Sequence, residues 1–139
     1  MSRGRAAALA FAREGARVIA SDLDEGRLQG LRDAGVAECL KLDVRNAGEW
    51  EECLRVALAH FGRVDVLMNV AGYLKPGFVH QLDAAEVDKH LDINTKGVIH
   101  GCRVIGRHFA AQKSGHIVNI GSLASLAPVA GLNLYVASK

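Results

Sequence analysis

The sequence predicts an α/β fold, a doubly wound parallel sheet covered by helices on both sides. Three observations carry this. Strand-like runs alternate with helical ones along the chain. Those strand-like runs are apolar at consecutive rather than alternate positions, as strands buried on both faces are. Four of them finish in polar groups, at Asp22, Asp43, Asn69 and Ser122. The 139 residues suffice for one domain with its own core, and no repeat or low-complexity linker divides them.

The elements follow in order. AAALAFAREG (Ala6–Gly15) is a strong helix former that stops at a glycine suited to the position after a helix end. RVIASD (Arg17–Asp22) is a short β-branched run, and DEGRLQGLRDAG after it reads as a polar helix. ECLKLDV (Glu38–Val44) is the second strand. Asn46 with Glu49 three residues on makes a capping box. Trp50, Cys53, Leu54, Ala57, Leu58 and Phe61 then recur on one helical face. VDVLMNVAG (Val64–Gly72) is a buried strand running into a glycine turn. Asp83 and Glu86 start another helix, and a long helical stretch continues from about Asp92 to Lys113. HIVNIGS (His116–Ser122) is the last strand, and LYVASK opens a further helix.

Composition narrows the function. With 17 basic and 15 acidic residues and no basic stripe interleaved with aromatics, the chain offers nothing to nucleic acid. Arg3, Arg5, Arg13 and Arg17 read as a solvated helix surface. Cys39, Cys53 and Cys102 are odd in number and widely spaced, which suits reduced thiols in a cytoplasmic protein. The six histidines lack metal-ligand spacing. No apolar run approaches the roughly 18 residues that span a bilayer, and the arginines interrupt any signal-peptide core.

Chemistry is expected beyond the C-terminal ends of the strands, where doubly wound sheets bind ligands. Each polar strand end alone is more often a capping or turn residue. Four at one sheet edge, together with Tyr135 and Lys139, form a cofactor and acid/base constellation. The i, i+4 spacing puts Tyr135 and Lys139 on one helix face, where an ammonium stabilises a neighbouring phenolate. Asp22, an acid at the end of its strand, can hydrogen-bond an adenosine ribose and repel a 2′-phosphate, which favours NAD over NADP, although Arg27 lies nearby.

NVAG, the 13-residue separation of Ser122 and Tyr135, Y-V-A-S-K, Leu42-Asp43-Val44 and Asn94 within DINTKG together resemble the short-chain dehydrogenase/reductase family over essentially the whole chain. The N-terminal AAALAFAREGARVIASD is similar to its hydroxybutyrate and sugar-acid dehydrogenase branches. The resemblance implies a Rossmann-type fold and an NAD(P)-dependent oxidoreductase interconverting a secondary alcohol and a ketone. It implies that Tyr135 is the general acid/base, that Ser122 hydrogen-bonds the carbonyl oxygen, that Lys139 also holds the nicotinamide ribose, and that Asn94 holds a relay water. Cofactor contacts would come from Gly4, Asp22 with Leu23, Asp43 and Val44 beside the adenine, and Asn69, Ala71 and Gly72 beside the adenosine ribose. A homo-oligomer is the family's usual form.

The pattern also departs from the family. Only three residues precede Gly4, which matches the last glycine of the family's TGxxxGxG turn, so the first strand and two glycines are absent. That strand would lie centrally, between those ending at Asp22 and Asn69. Lys139 falls one turn into a helix that leads, in the family, to further strands and a substrate lid. Residues 1–139 are thus expected to be a partial NAD(P)-binding domain, a fragment with impaired activity. The alternative is a non-catalytic truncated product, at most a protein-interaction module with exposed sheet edges. Before the tyrosine stand Gly131-Leu132-Asn133-Leu134, with Leu126, Pro128 and Val129 upstream. They lack the arginine that holds a carboxylate in the hydroxybutyrate enzymes, so an apolar alcohol or ketone is expected.

Overall fold

A computed structural model describes residues 2–127 and 129–139, leaving Met1 and Pro128 outside the description. The order is α1 (Arg3–Arg13), β1 (Ile19–Asp22), β2 (Glu38–Lys41), α2 (Ala47–Phe61), β3 (Val66–Asn69), α3 (Ala84–Leu91), α4 (Gly97–Gln112), β4 (His116–Asn119) and α5 (Asn133–Ser138). This is the α/β alternation expected, with each strand shorter than the run read in the sequence: β2 keeps Glu38–Lys41 of Glu38–Val44, and β3 keeps Val66–Asn69 of Val64–Gly72. β1 pairs in parallel with β2, Ile19 opposite Glu38 through Asp22 opposite Lys41. β3 pairs in parallel with β4, Val66 opposite His116 through Asn69 opposite Asn119. Among the described residues the two pairs do not join. Between them lies a cavity of about 480 Å³, walled by β1, β3, α1, α2 and α4.

Helix starts follow their caps. Ser2 accepts the Arg5 N–H at 3.3 Å, and Asn46 accepts those of Gly48 and Glu49 at 2.9 and 3.3 Å. The Glu49 carboxylate, which a reciprocal box would return to the Asn46 N–H, takes the Asp43 N–H instead at 2.7 Å. It thereby fastens the end of the second strand segment to the helix that follows.

One expected helix is not there. DEGRLQGLRDAG forms a single 3-10 turn, Glu25–Leu28, followed by further turns to Gly35. Gly30 and Gly35 adopt φ of 69° and 96°, left-handed values that a continuing helix cannot contain. The segment still packs: Leu31 and Val36 are buried with Ala8 against one side of β1 and β2.

The other core gathers Leu42, Trp50, Val104, Ile105 and Phe109 around Leu67 and Ile117. It depends on how closely α4 approaches the sheet. A methyl group at Gly101 would stand 2.6 Å from Asn69 Oδ1 and 2.9 Å from the Trp50 ring, both on buried residues. Gly101→Ala is therefore expected to cost about 1–3 kcal/mol. A lower urea midpoint at unchanged slope would register this, whereas an unchanged midpoint would mean α4 can move away freely.

The long helical stretch expected over residues 92–113 is present, but it opens with a π turn, Asp92–Lys96. One extra residue per turn is rare in helices and concentrates at functional sites. Asn94 sits in its middle, 4% exposed.

Candidate active site

The strand ends bring most of the sequence-selected residues to one edge, in two groups. Gly4, Asp22, Val44, Asn69 and Ala71 line the large cavity. Asn94 and Lys139 line a second hollow beside Asn119, Ile120 and Gly121. Gly72 joins the groups, since a Cβ there would lie 3.5 Å from Lys139 Nζ and 3.6 Å from Asn94 Oδ1. Leu23, Asp43, Ser122 and Tyr135 line neither cavity. Tyr135 is half-buried on α5, and Ser122 half-buried at the end of the last strand segment.

Asn94 is the hub. Its Oδ1 accepts the Tyr73 N–H at 2.7 Å, and its Nδ2 donates to the Tyr73 carbonyl at 2.8 Å and to Ser138 Oγ at 2.8 Å. Ser138 Oγ donates in turn to the Tyr135 carbonyl at 3.0 Å, and Thr95 Oγ1 donates to the Ser138 carbonyl at 3.0 Å. A single buried amide thus ties the turn after β3 to the helix carrying Tyr135 and Lys139. Lys139 Nζ donates to the Ile120 carbonyl at 3.0 Å, which draws the ammonium over the end of β4 and towards Gly72.

On its far side Tyr73 is held as firmly. Its hydroxyl donates to Glu86 Oε2 at 2.9 Å, and Lys75 Nζ donates to Glu86 Oε1 at 2.9 Å. The Lys75 ammonium, and after it the Tyr73 hydroxyl, hold the Glu86 carboxyl below the ordinary carboxylate range. The Tyr73 ring rests edge-on against the fully buried His90, centroids 4.9 Å apart. The ammonium of Lys89 lies 4.1 Å above the same ring.

Four candidates make side-chain contacts of their own. Asn69, 6% exposed, donates to Asn119 Oδ1 at 2.8 Å and lies against Cys102 Sγ at 3.5 Å, so its amide belongs to the β3–β4 pair. Both Asp43 oxygens are engaged by Arg45, at 2.6–3.1 Å, and that guanidinium holds the Asp43 carboxyl below its usual range. Ser122 Oγ accepts the Ala124 N–H at 3.2 Å, which leaves its own O–H free to donate elsewhere. Asp22 accepts the Asp24 N–H through Oδ1 at 3.0 Å, while Arg27 leans to Asp24 at 3.6 Å.

Sequence reasoning missed Ser138, Tyr73 and Glu86. Ser138 stood inside the quoted Y-V-A-S-K without a role. Glu86 was read only as the capping partner of Asp83, whose Oδ1 does accept the Glu86 N–H at 2.8 Å.

Fold and strand-end layout together define a Rossmann-type α/β domain. A sequence model of the family described as short chain dehydrogenase matches residues 3–139, and the chain belongs to that family. It is 37% identical to the probable oxidoreductase EphD of Mycobacterium tuberculosis, over 98% of this chain and 24% of that protein. The structure is similar to a metagenomic short-chain oxidoreductase in complex with NADP, with TM-score 0.92, 34% identity and coverage of 100% of this chain and 66% of that one. It is also similar to a short-chain dehydrogenase/reductase from Burkholderia phymatum in complex with NAD, with TM-score 0.89, 33% identity and coverage of 97% and 51%. The chain spans between about a quarter and just over half of the length of the curated relatives it matches. No helix among the described residues is long and apolar enough to cross a membrane.

Proposed function

We propose that residues 1–139 are the cofactor-binding and acid/base part of an NAD(P)-dependent oxidoreductase that interconverts a secondary alcohol and a ketone. The carrying observation is the Tyr73–Asn94–Ser138–Tyr135 hydrogen-bond chain, which locks the helix bearing Tyr135 and Lys139 to the strand-end turn at Gly72. The residues fit a dinucleotide. A Cβ at Gly4 would meet only Val70 Cγ1 at 3.8 Å, so the backbone at the start of α1 is open to close approach, and helix N-termini favour phosphate. Asp22 keeps Oδ2 for a ribose hydroxyl.

When bound, the nicotinamide gives or takes the hydride. Tyr135 transfers the alcohol proton at its phenol oxygen, and Ser122 donates its hydroxyl hydrogen to the carbonyl oxygen. Lys139, held at the Ile120 carbonyl beside Gly72, would hold the nicotinamide ribose. Asn94 keeps these groups in register, and a relay water would sit in the hollow that it lines with Ile120 and Lys139. The substrate is uncharged and apolar. Leu123 and Leu126 are each 84% exposed beside Ser122. A small-molecule substrate and assembly as a homo-oligomer agree with the family.

The test is nicotinamide-dependent turnover of a panel of apolar secondary alcohols by the protein that carries these residues. Absence of turnover in a folded sample would overturn the reading. NAD is the expected cofactor. Asp22→Ala is expected to reduce the NAD-over-NADP ratio of kcat/KM about tenfold or more, because it removes both a ribose hydrogen bond and the repulsion of a 2′-phosphate. A wild-type preference for NADP would sink this assignment.

A further inference from the structure

We infer that His90 is a positioning residue: with Asn94 it fixes the segment Tyr73–Gly77 and, through it, the place of Gly72 beside Lys139. The kinetic consequence rests on the proposed reaction, whereas the geometry rests on hydrogen bonds alone.

No ladder or helix carries the backbone from Val70 to Pro76, so its polar groups need other partners. Asn94 takes both those of Tyr73. Two residues on, the Lys75 N–H donates to His90 Nε2 at 3.3 Å, and Pro76 has no N–H to offer. Two residues further, the Gly77 N–H donates to the Gly131 carbonyl at 2.8 Å. Every second residue is thus held, as along the edge of a ladder. Two of the three rungs are side chains, from positions 90 and 94 of one unbroken helical run, a spacing that shares a face.

His90 can do this in only one tautomer. Its Nδ1 lies 2.7 Å from the Glu86 carbonyl, which can only accept, so Nδ1 carries the proton. Nε2 is then bare and accepts the Lys75 N–H. The imidazole is 0% exposed, which keeps water from replacing either partner. A histidine that merely packs within its helix needs only the first bond. The second is spent on another segment, and among the described residues nothing else accepts the Lys75 N–H. Glu86 braces the same segment from outside through the Tyr73 hydroxyl and the Lys75 ammonium.

The route to the site is short. Gly72 adjoins Tyr73, and a Cβ on it would stand 3.5 Å from Lys139 Nζ. Asn94 alone would hold the segment at one residue, about which it can pivot. His90 supplies the second point, which fixes its direction.

The test uses the protein that carries these residues. In wild type, ring-nitrogen NMR is expected to show His90 protonated at Nδ1 and bare at Nε2; a proton on Nε2 would overturn the inference. His90→Leu fills the volume without an acceptor, while His90→Gln can bring Oε1 to the Lys75 N–H. In His90→Leu the Lys75 amide is expected to exchange about tenfold faster or more, beyond any change at the buried Val104. Per folded molecule, kcat with the most active alcohol of the panel should fall about tenfold while KM stays within about threefold. His90→Gln is expected to restore kcat to within about threefold of wild type. Wild-type kcat in His90→Leu, equal losses in both variants, or parallel acceleration at Lys75 and Val104 would each overturn the inference. Should His90→Leu not fold, Lys75 protection retained in His90→Gln supports the inference and its loss overturns it. A folded wild type without turnover would sink the proposed reaction, and the tautomer and exchange readouts would still decide the role of His90.

Discussion

Tyr135→Phe is expected to lower kcat by about 10²–10⁴-fold, the range over which a positioned proton donor or acceptor contributes. The change deletes only the hydroxyl. Among the described residues no hydrogen bond uses the Tyr135 hydroxyl, and the carbonyl that accepts from Ser138 Oγ is untouched, so α5 keeps its attachment and the fold should stand. The ring remains to fill its half-buried place. KM should move little, because the loss falls on the proton transfer rather than on ground-state binding. Turnover within threefold of wild type would assign Tyr135 to packing and pass the acid/base role to another group.

Asn94→Leu is the second large effect, and it strikes stability and catalysis together. Leucine approximates the volume but takes away the partners of the Tyr73 N–H, the Tyr73 carbonyl and Ser138 Oγ. Each buried group left unpaired costs about 1–3 kcal/mol, so the expected loss is about 3 kcal/mol or more. Ser138 is itself 6% exposed, which limits rescue by water. The urea midpoint should fall by a large fraction of its wild-type value. Residual folded protein should turn over more slowly than wild type, since α5 loses its tie to the Gly72 turn. An unchanged midpoint would mean that the amide is dispensable and that α5 is held by packing alone.

Much of this arrangement was legible in the sequence. Strand centres followed from consecutive apolar residues, and their polar ends fell on the expected edge because side chains of that kind cannot continue a strand buried on both faces. What escaped depends on three-dimensional partners. Glu86 carries a capping signal and a clamp on Tyr73, and only the first is local in sequence. Asn69 looks like a ligand-facing strand end, yet its amide turns to Asn119, 50 residues away. The segment from Asp24 to Gly35 has helix-forming residues, but its glycines adopt left-handed values that no count of propensities anticipates.

The π turn at Asp92–Lys96 also sets the rotational phase of everything after it. An α-helix advances about 100° per residue, so one residue added to a turn swings the following helix by that angle relative to the one before. In this phase Gly97 and Gly101 face inward: a Cβ on the first would stand 2.7 Å from Val44, and on the second 2.6 Å from Asn69. Deleting one residue within 92–96 would let the winding close to regular α geometry and rotate this pair of glycines off the sheet. Larger neighbours would then be driven into a space sized for hydrogen atoms. The bulge works as an indexing tooth, and the chain can change residues around it more safely than it can change their number.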